Sequence, residues 1–263
     1  MTGFDHPVNN SGKLLKILVV DDDVLNQRMM NLLLSREGYQ ITSASNGVEA
    51  VEMVKTGDFD VVLMDLQMPV MDGMSASRLI RDWENGNKHT FIVALTASFL
   101  PEKGHELFDA GIDNYISKPF DLEHLKQILR YSHNESRGIA EKRVEERDPS
   151  ESGVSFVAGV RRVGGSEEIY RELLSDFVQE LPEKLERMES YQQNNEPTAL
   201  SRLAHNLRGV SANLGGMRLS EQAGALEKKV DIGGSEKEIK HIIGMVRAAA
   251  EEFRTNASNY LSK

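Results

Sequence analysis

The chain has 263 residues, a net charge of −10 and no cysteine, so it has room for two domains and excludes disulfides and thiolate metal sites. Basic residues are outnumbered in both halves, 12 Lys+Arg against 19 Asp+Glu through Tyr131 and 19 against 22 beyond it, so neither half offers a nucleic-acid surface. No apolar stretch reaches transmembrane length and Met1 to Leu15 is too polar for a signal peptide; membrane insertion is not expected, and a cysteine-free chain is compatible with the cytoplasm.

Residues 1–14 form a polar tail. Its Gly12-Lys13 is not a phosphate-cradling loop, because Leu14 stands where Ser or Thr is needed and no upstream glycine fits. The apolar run Ile17-Leu18-Val19-Val20 then ends in Asp21-Asp22-Asp23, with Asp23 placed to cap a helix beginning at Val24. Val61-Val62-Leu63-Met64 ends in Asp65, Phe91-Ile92-Val93-Ala94-Leu95 ends in Thr96, and Tyr115-Ile116-Ser117 ends in Lys118-Pro119. Short continuous apolar runs separated by helical stretches read as buried parallel strands. Ligands of such sheets bind beyond the carboxyl ends of the strands, which gathers these carboxylates, a hydroxyl and an ammonium in one crevice.

Clustered carboxylates repel one another, and a hard cation such as Mg²⁺ held together with a substrate phosphate relieves that. Lys118 and Thr96 are suited to the remaining phosphate oxygens, and an Asp carboxylate is a competent phosphoryl nucleophile. Each residue alone has an ordinary explanation as a cap, a turn residue or a solvated charge; it is the conjunction at four strand ends that carries the reading.

The stretch from about Lys16 to Tyr131 resembles the receiver domain of two-component response regulators. The resemblance rests on Asp21-Asp22, Ser45-Asn46-Gly47-Val48-Glu49-Ala50, the segment from Met64 through Asp65 to Asp72-Gly73, Leu95-Thr96-Ala97, and Tyr115 ahead of Lys118-Pro119-Phe120. It implies a doubly wound five-stranded parallel sheet over residues 15–131, with Asp65 as phosphoacceptor. It also implies Mg²⁺ on Asp22, Asp65 and the backbone carbonyl of Gln67, with Asp21 acting through water, and Thr96 with Tyr115 as a switch pair. Gln67 and Ser98 fall where the family tunes hydrolysis, and the short Ser98 implies a phosphoaspartate lasting minutes.

Residues 132–152 read as a charged linker, which if coiled spans about 25 Å root-mean-square, or as a partly helical extension of the preceding helix. Beyond it β-branched strand runs nearly vanish. Ile169, Leu173, Leu174, Phe177, Val178 and Leu181 recur at helical spacing, as do Leu200, Leu203, Leu207, Val210 and Leu214. His205, Arg208, Gly209 and Ala212 follow on a neighbouring face, so His205 is expected to point off the core beside a cation, with small residues opening the surface around it.

Residues from about Val154 resemble the histidine phosphotransfer (HPt) family, on Ala204-His205-Asn206-Leu207-Arg208-Gly209, Ser211 to Gly216, Val163 to Ser166 and Tyr170 to Leu174. The resemblance implies an antiparallel helical bundle over 153–263 with His205 as a second phosphoacceptor and Arg208 steadying the phosphoryl group. Lys is the family's usual residue where this chain has Arg208, and a planar fork is not a point charge.

Taken together, an α/β unit followed by an all-α unit reads as a phosphorelay intermediate, either independent or the C-terminal part of a hybrid sensor kinase. A histidine kinase and other receiver or HPt domains are its expected partners, with contact between its own two domains a further option. Glycine pairs at 164, 215 and 233 do not make a nucleotide site, so phosphoryl groups are expected from partners rather than from ATP. Two other classes compete. A non-catalytic scaffold would lack phosphoryl uptake, and an aspartate-nucleophile phosphatase built on Asp21 and Asp23 leaves Leu25 and the Met64 to Gly73 segment unexplained.

Overall fold

The computed structural model describes residues 13–96, 104–119, 122–132 and 154–263, and the chain divides into two compact units, 1–144 and 145–263. Residues 1–12 of the expected tail, Ser98, and residues 133–152 of the expected linker lie outside the described residues.

In the first unit, strands β1 (Lys16–Val20), β2 (Gln40–Ala44), β3 (Val61–Asp65), β4 (Phe91–Thr96) and β5 (Asn114–Ser117) form one parallel sheet in the order β2-β1-β3-β4-β5. Helices α1 (Val24–Arg36), α2 (Gly47–Thr56), α3 (Gly73–Glu84), α4 (Gly104–Asp109) and α5 (Leu122–Tyr131) follow the strands in turn. β3 is buried at every position and β1 and β4 at all but the first, which is why they read as unbroken apolar runs. β2 sits at the sheet edge and alternates exposed with partly buried residues. One core joins Leu18, Val20, Val62, Met64, Ile92 and Ala94 of the sheet to Ala50 and Val54 of α2, Ile80 of α3 and Leu107 of α4. The strand order reverses between β1 and β3, which opens a crevice beyond their carboxyl ends.

The loop from β3 to α3 is tightly constrained. Val70 has φ +68, and Met71 N–H donates to the Pro69 carbonyl at 2.7 Å, closing a three-residue turn that is costly for a β-branched residue. At Gly73 an added Cβ would stand 2.2 Å from the Asp65 carbonyl oxygen, so only a bare backbone lets α3 start this close to β3. Asp72 caps that helix, accepting from Ser75 N at 2.8 Å.

The second unit contains α6 (Phe156–Arg162), α7 (Glu167–Gln193), α8 (Pro197–Asn213), α9 (Met217–Asp231) and α10 (Glu236–Leu261). α8 packs on α7 and α9, and α10 closes the ring against α9 and α7. Short connections make neighbouring helices antiparallel. Ser201 Oγ donates to Asp231 at 2.6 Å and His205 meets Glu227 at 2.8 Å, so four residues forward along α8 match four residues back along α9. Leu173, Leu174, Phe177, Leu181, Leu200, Leu203, Leu207, Val210 and Leu214 are all buried, whereas Ile169 and Val178 are only partly so and Tyr170 takes the inner position instead. Phe177 and Phe253 meet edge to face at 5.5 Å, and the Tyr170 hydroxyl donates to the Leu214 carbonyl at 2.8 Å. Among the described residues, no helix is long and apolar enough to cross a membrane.

Candidate functional site

Two polar sites are built into these units by different means. In the sheet unit the parallel strands end near one level, so residues at or one step past their carboxyl ends meet. Lys118, just after β5, donates to Asp65 Oδ2 at 2.6 Å and to Asp21 Oδ2 at 2.9 Å, and all three residues are buried. The lysine is anchored by its backbone as well, since its N–H donates to the Thr96 carbonyl at 2.6 Å. Asp21 Oδ1 accepts from Asp23 N at 2.9 Å and from the Asn26 amide at 3.2 Å, while Asp65 Oδ1 accepts from Gln67 N at 3.1 Å. As expected, Asp23 caps α1, accepting from Leu25 N and Asn26 N.

Burial pushes the Asp21 carboxyl up to about 7, with the nearby Asp65 charge adding to the push and Lys118 opposing it. For Lys118 burial works against the ammonium, but the charges of Asp21 and Asp65 prevail and hold its pKa above the usual lysine value. Three acids around one ammonium still leave an excess of negative charge. Asp21, Asp22 and Asp65 each offer a carboxylate oxygen, and these oxygens lie within 4.8 Å of one another. An all-oxygen, electron-rich set of this kind suits a small hard divalent cation such as Mg²⁺. Both oxygens of Asp21 and both of Asp65 also accept from protein donors, so a cation held here would share these carboxylates with Lys118 and the backbone. Thr96 is buried at the end of β4, paired in register with Ser117, and Tyr115 packs partly buried against the sheet core.

The second site corrects an expectation. His205 does not point off the core: its side chain is only 7% exposed, and Nδ1 lies 2.8 Å from Glu227 Oε1 of α9. Gly209 and Ala212 are buried too, so these small residues do not open a surface. The reason is that α8 has a neighbour on each side in the ring, so a second stripe beside the leucines is also covered. Arg208, partly exposed, donates through Nη1 to the other Glu227 oxygen, Oε2, at 3.2 Å. Burial alone would raise the Glu227 pKa, but the hydrogen bond and charge of His205, together with Arg208, outweigh it and hold the carboxyl below its usual range. Glu227 was not legible as a site residue from the local motif. Reflecting position 205 through the turn at Gly215-Gly216 would have found it, given the antiparallel helices.

Comparison with known proteins agrees with both halves. The family model for the response regulator receiver domain matches residues 17–130, and the model for the Hpt domain matches residues 172–254, so the chain holds a receiver domain followed by an Hpt domain. Its relatives are hybrid histidine kinases. It is 30% identical over 260 residues to sensor histidine kinase GacS of Pseudomonas protegens, covering 94% of this chain and 28% of that protein. It is 28% identical over 239 residues to signal transduction histidine-protein kinase BarA of Escherichia coli, covering 89% and 26%. The chain thus spans little more than a quarter of these relatives' length and is homologous to their phosphorelay parts. Among solved structures, the receiver domain of sensor histidine kinase PA1611 from Pseudomonas aeruginosa, with a magnesium ion in its active site cleft, is 37% identical. That match covers 45% of this chain and 96% of that one, with a TM-score of 0.42.

Proposed function

We infer that Asp65 and His205 are the two phosphoryl carriers of this relay, within domains spanning about 15–131 and 153–263. The observation that supports the reading best is the bridge from Lys118 to Asp65 and Asp21 inside a three-carboxylate cluster at the strand ends. The donor is a phosphohistidine, on a histidine kinase or another HPt domain. An Asp65 oxygen attacks its phosphorus, the P–N bond breaks, and the imidazole leaves with the electron pair. Lys118, already 2.6 Å from Asp65, moves its hydrogen bond to a phosphoryl oxygen as the carboxylate is esterified. Thr96 offers its hydroxyl to another oxygen, and Tyr115, on the neighbouring strand, reports the change toward the β4–β5 side. Mg²⁺, held by Asp22, Asp65 and the Gln67 carbonyl with Asp21 acting through water, would supply the neutralising charge for the transferring group.

His205 completes the relay by accepting from, or donating to, a receiver aspartate. Labelled phosphate passed from a kinase-loaded donor into wild type, Asp65→Asn and His205→Gln tests both roles. Wild type should carry an acid-labile acyl phosphate at Asp65 that EDTA prevents from forming and Asp65→Asn lacks. His205→Gln should lose all transfer from a phosphorylated receiver. Equal uptake by Asp65→Asn would show that the label sits elsewhere and that the receiver unit serves only as a scaffold.

A further inference from the structure

We propose that Asn26 is a positioning residue of the acid pocket: its side-chain amide fixes the Asp21 carboxylate, and through it the Lys118 ammonium, in the orientation that Mg²⁺ binding and phosphoryl uptake at Asp65 require. The inference rests on the reading of Asp65 as an acceptor and extends it to a residue that acts through Asp21 rather than on the phosphoryl group.

Every polar atom of Asp21 has a partner. Oδ1 accepts from Asp23 N at 2.9 Å and from Asn26 Nδ2 at 3.2 Å, and Oδ2 accepts from Lys118 at 2.9 Å. The backbone N–H of Asp21 donates to the Ala44 carbonyl at 3.2 Å, and its own carbonyl accepts from Gln27 Nε2 at 2.6 Å. Asp23 N belongs to the same short loop and moves with it, whereas Asn26 is anchored in α1.

That anchorage comes from the start of the helix. Asn26 N donates to the capping Asp23 at 3.2 Å, which fixes its backbone, and helical side chains lean toward the helix N-terminus, here the end of β1. The side chain is buried with Asp21, so water does not compete for the contact. Gln27 adds a second amide, reaching the Ala44 carbonyl at 3.1 Å and so tying α1 to the ends of β1 and β2. A neutral donor is the chemistry this place needs. A Lys or Arg would rival Lys118 and cancel the negative excess that suits a cation, and an Asp would repel Asp21; an amide orients the carboxylate and leaves the charge of the pocket unaltered.

A carboxylate is planar, so holding Oδ1 toward α1 aims Oδ2 at Lys118, whose ammonium also lies 2.6 Å from Asp65. During uptake Lys118 has to leave Asp65 for a phosphoryl oxygen, and the Asp21 contact is what retains the ammonium meanwhile. With Oδ1 released, the Asp21 carboxylate turns about its own axis and Lys118 is held from the Asp65 side alone. The same rotation would misplace Asp21 toward the water of a cation.

The test uses the full-length chain as wild type, Asn26→Leu and Asn31→Leu. Mg²⁺ alone is titrated in by calorimetry, and uptake from acetyl phosphate is followed by intact mass. Leucine fills a similar volume and removes the donor. Asn31 is the control, a comparable side-chain contact of α1 made to Ser43 at 3.0 Å instead of to Asp21. Asn26→Leu should raise the Mg²⁺ dissociation constant about 10-fold, as loss of groups that orient ligating carboxylates does, and should slow uptake even with Mg²⁺ in excess. Asn31→Leu should match wild type in both. An unchanged dissociation constant in Asn26→Leu, uptake at the wild-type rate, or an equal loss in Asn31→Leu overturns the proposal. Uptake persisting in Asp65→Asn overturns the acceptor reading instead, while the Mg²⁺ titration still decides the role of Asn26. Should circular dichroism show that Asn26→Leu does not fold, Asn26→Ser, whose hydroxyl is too short to reach Asp21, is judged by the same criteria.

Discussion

Around Asp65 the structure gathers three carboxylates onto one buried ammonium, whereas around His205 a single carboxylate sits between an imidazole and a guanidinium. Counting formal charge, the first cluster carries Asp21, Asp22 and Asp65 against Lys118, an excess of two negatives. The second carries Glu227 against Arg208, and it balances before the imidazole is counted. The difference teaches which site has charge to spare: the acid pocket keeps a negative excess that suits a divalent cation, and the histidine site carries its own counter-charges.

The largest effect expected from breaking this contrast is at Lys118. Lys118→Ala leaves buried carboxylates uncompensated and should lower the unfolding free energy of the receiver unit by about 3 kcal/mol in urea titrations without Mg²⁺. Millimolar Mg²⁺ should restore part of that loss, and an unchanged midpoint without the ion would show that the carboxylates are not charged together. EDTA, by contrast, should leave the unfolding of the helical unit where it is.

A smaller effect belongs to Glu227 and sharpens the other half of the comparison. His205 and Arg208 hold its pKa below the usual 4.5 in spite of burial, so in acid the folded bundle binds fewer protons than its unfolded chain. The associated stability is fully present above about pH 4.5 and disappears as pH falls through the lower folded value. Glu227→Gln should flatten that acid limb in melting curves of the helical unit, and an identical limb in wild type and variant would deny Glu227 its charged partners.

The smallest is at Val70, which lies in the loop after Asp65 but is 86% exposed. With φ at +68 it occupies a backbone region that glycine reaches without strain, and Val70→Gly should stabilise the receiver by about 0.5 kcal/mol, less than the relief of strain because glycine also gains freedom when unfolded. A loss of stability would mean that the exposed side chain itself holds the loop.

These two sites also differ in how readily the sequence discloses them. The acid pocket was legible because its residues terminate apolar runs: Asp21, Asp65, Thr96 and Lys118 mark strand ends, and a parallel sheet turns strand ends into neighbours. β2 was not legible as a run, because an edge strand spelled Gln-Ile-Thr-Ser-Ala is half wet and shows no unbroken apolar stretch. At the histidine site the motif disclosed His205 and Arg208 but not their surroundings. Exposure around a helix depends on how many neighbours it has, and periodicity along α8 alone cannot show that α9 covers the face bearing His205, Gly209 and Ala212. Glu227 lies in an unremarkable stretch, Leu226-Glu227-Lys228-Lys229, that any solvated helix could carry.

The contacts that make the acid pocket span the chain widely: Lys118 reaches back 53 residues to Asp65 and 97 to Asp21, while His205 and Glu227 are 22 apart. Contacts of long sequence separation form late, because a large loop must close before they contribute, whereas a helical hairpin assembles early from local contacts. The histidine site therefore takes shape once α8 and α9 have paired. In the receiver, if β1 and β3 pair before β5 docks, their carboxylates meet before Lys118 arrives to oppose them. Refolding of the receiver unit should accordingly be slowed by that interim repulsion and quickened by raised ionic strength, while the hairpin of α8 and α9 forms at a rate that salt leaves nearly untouched.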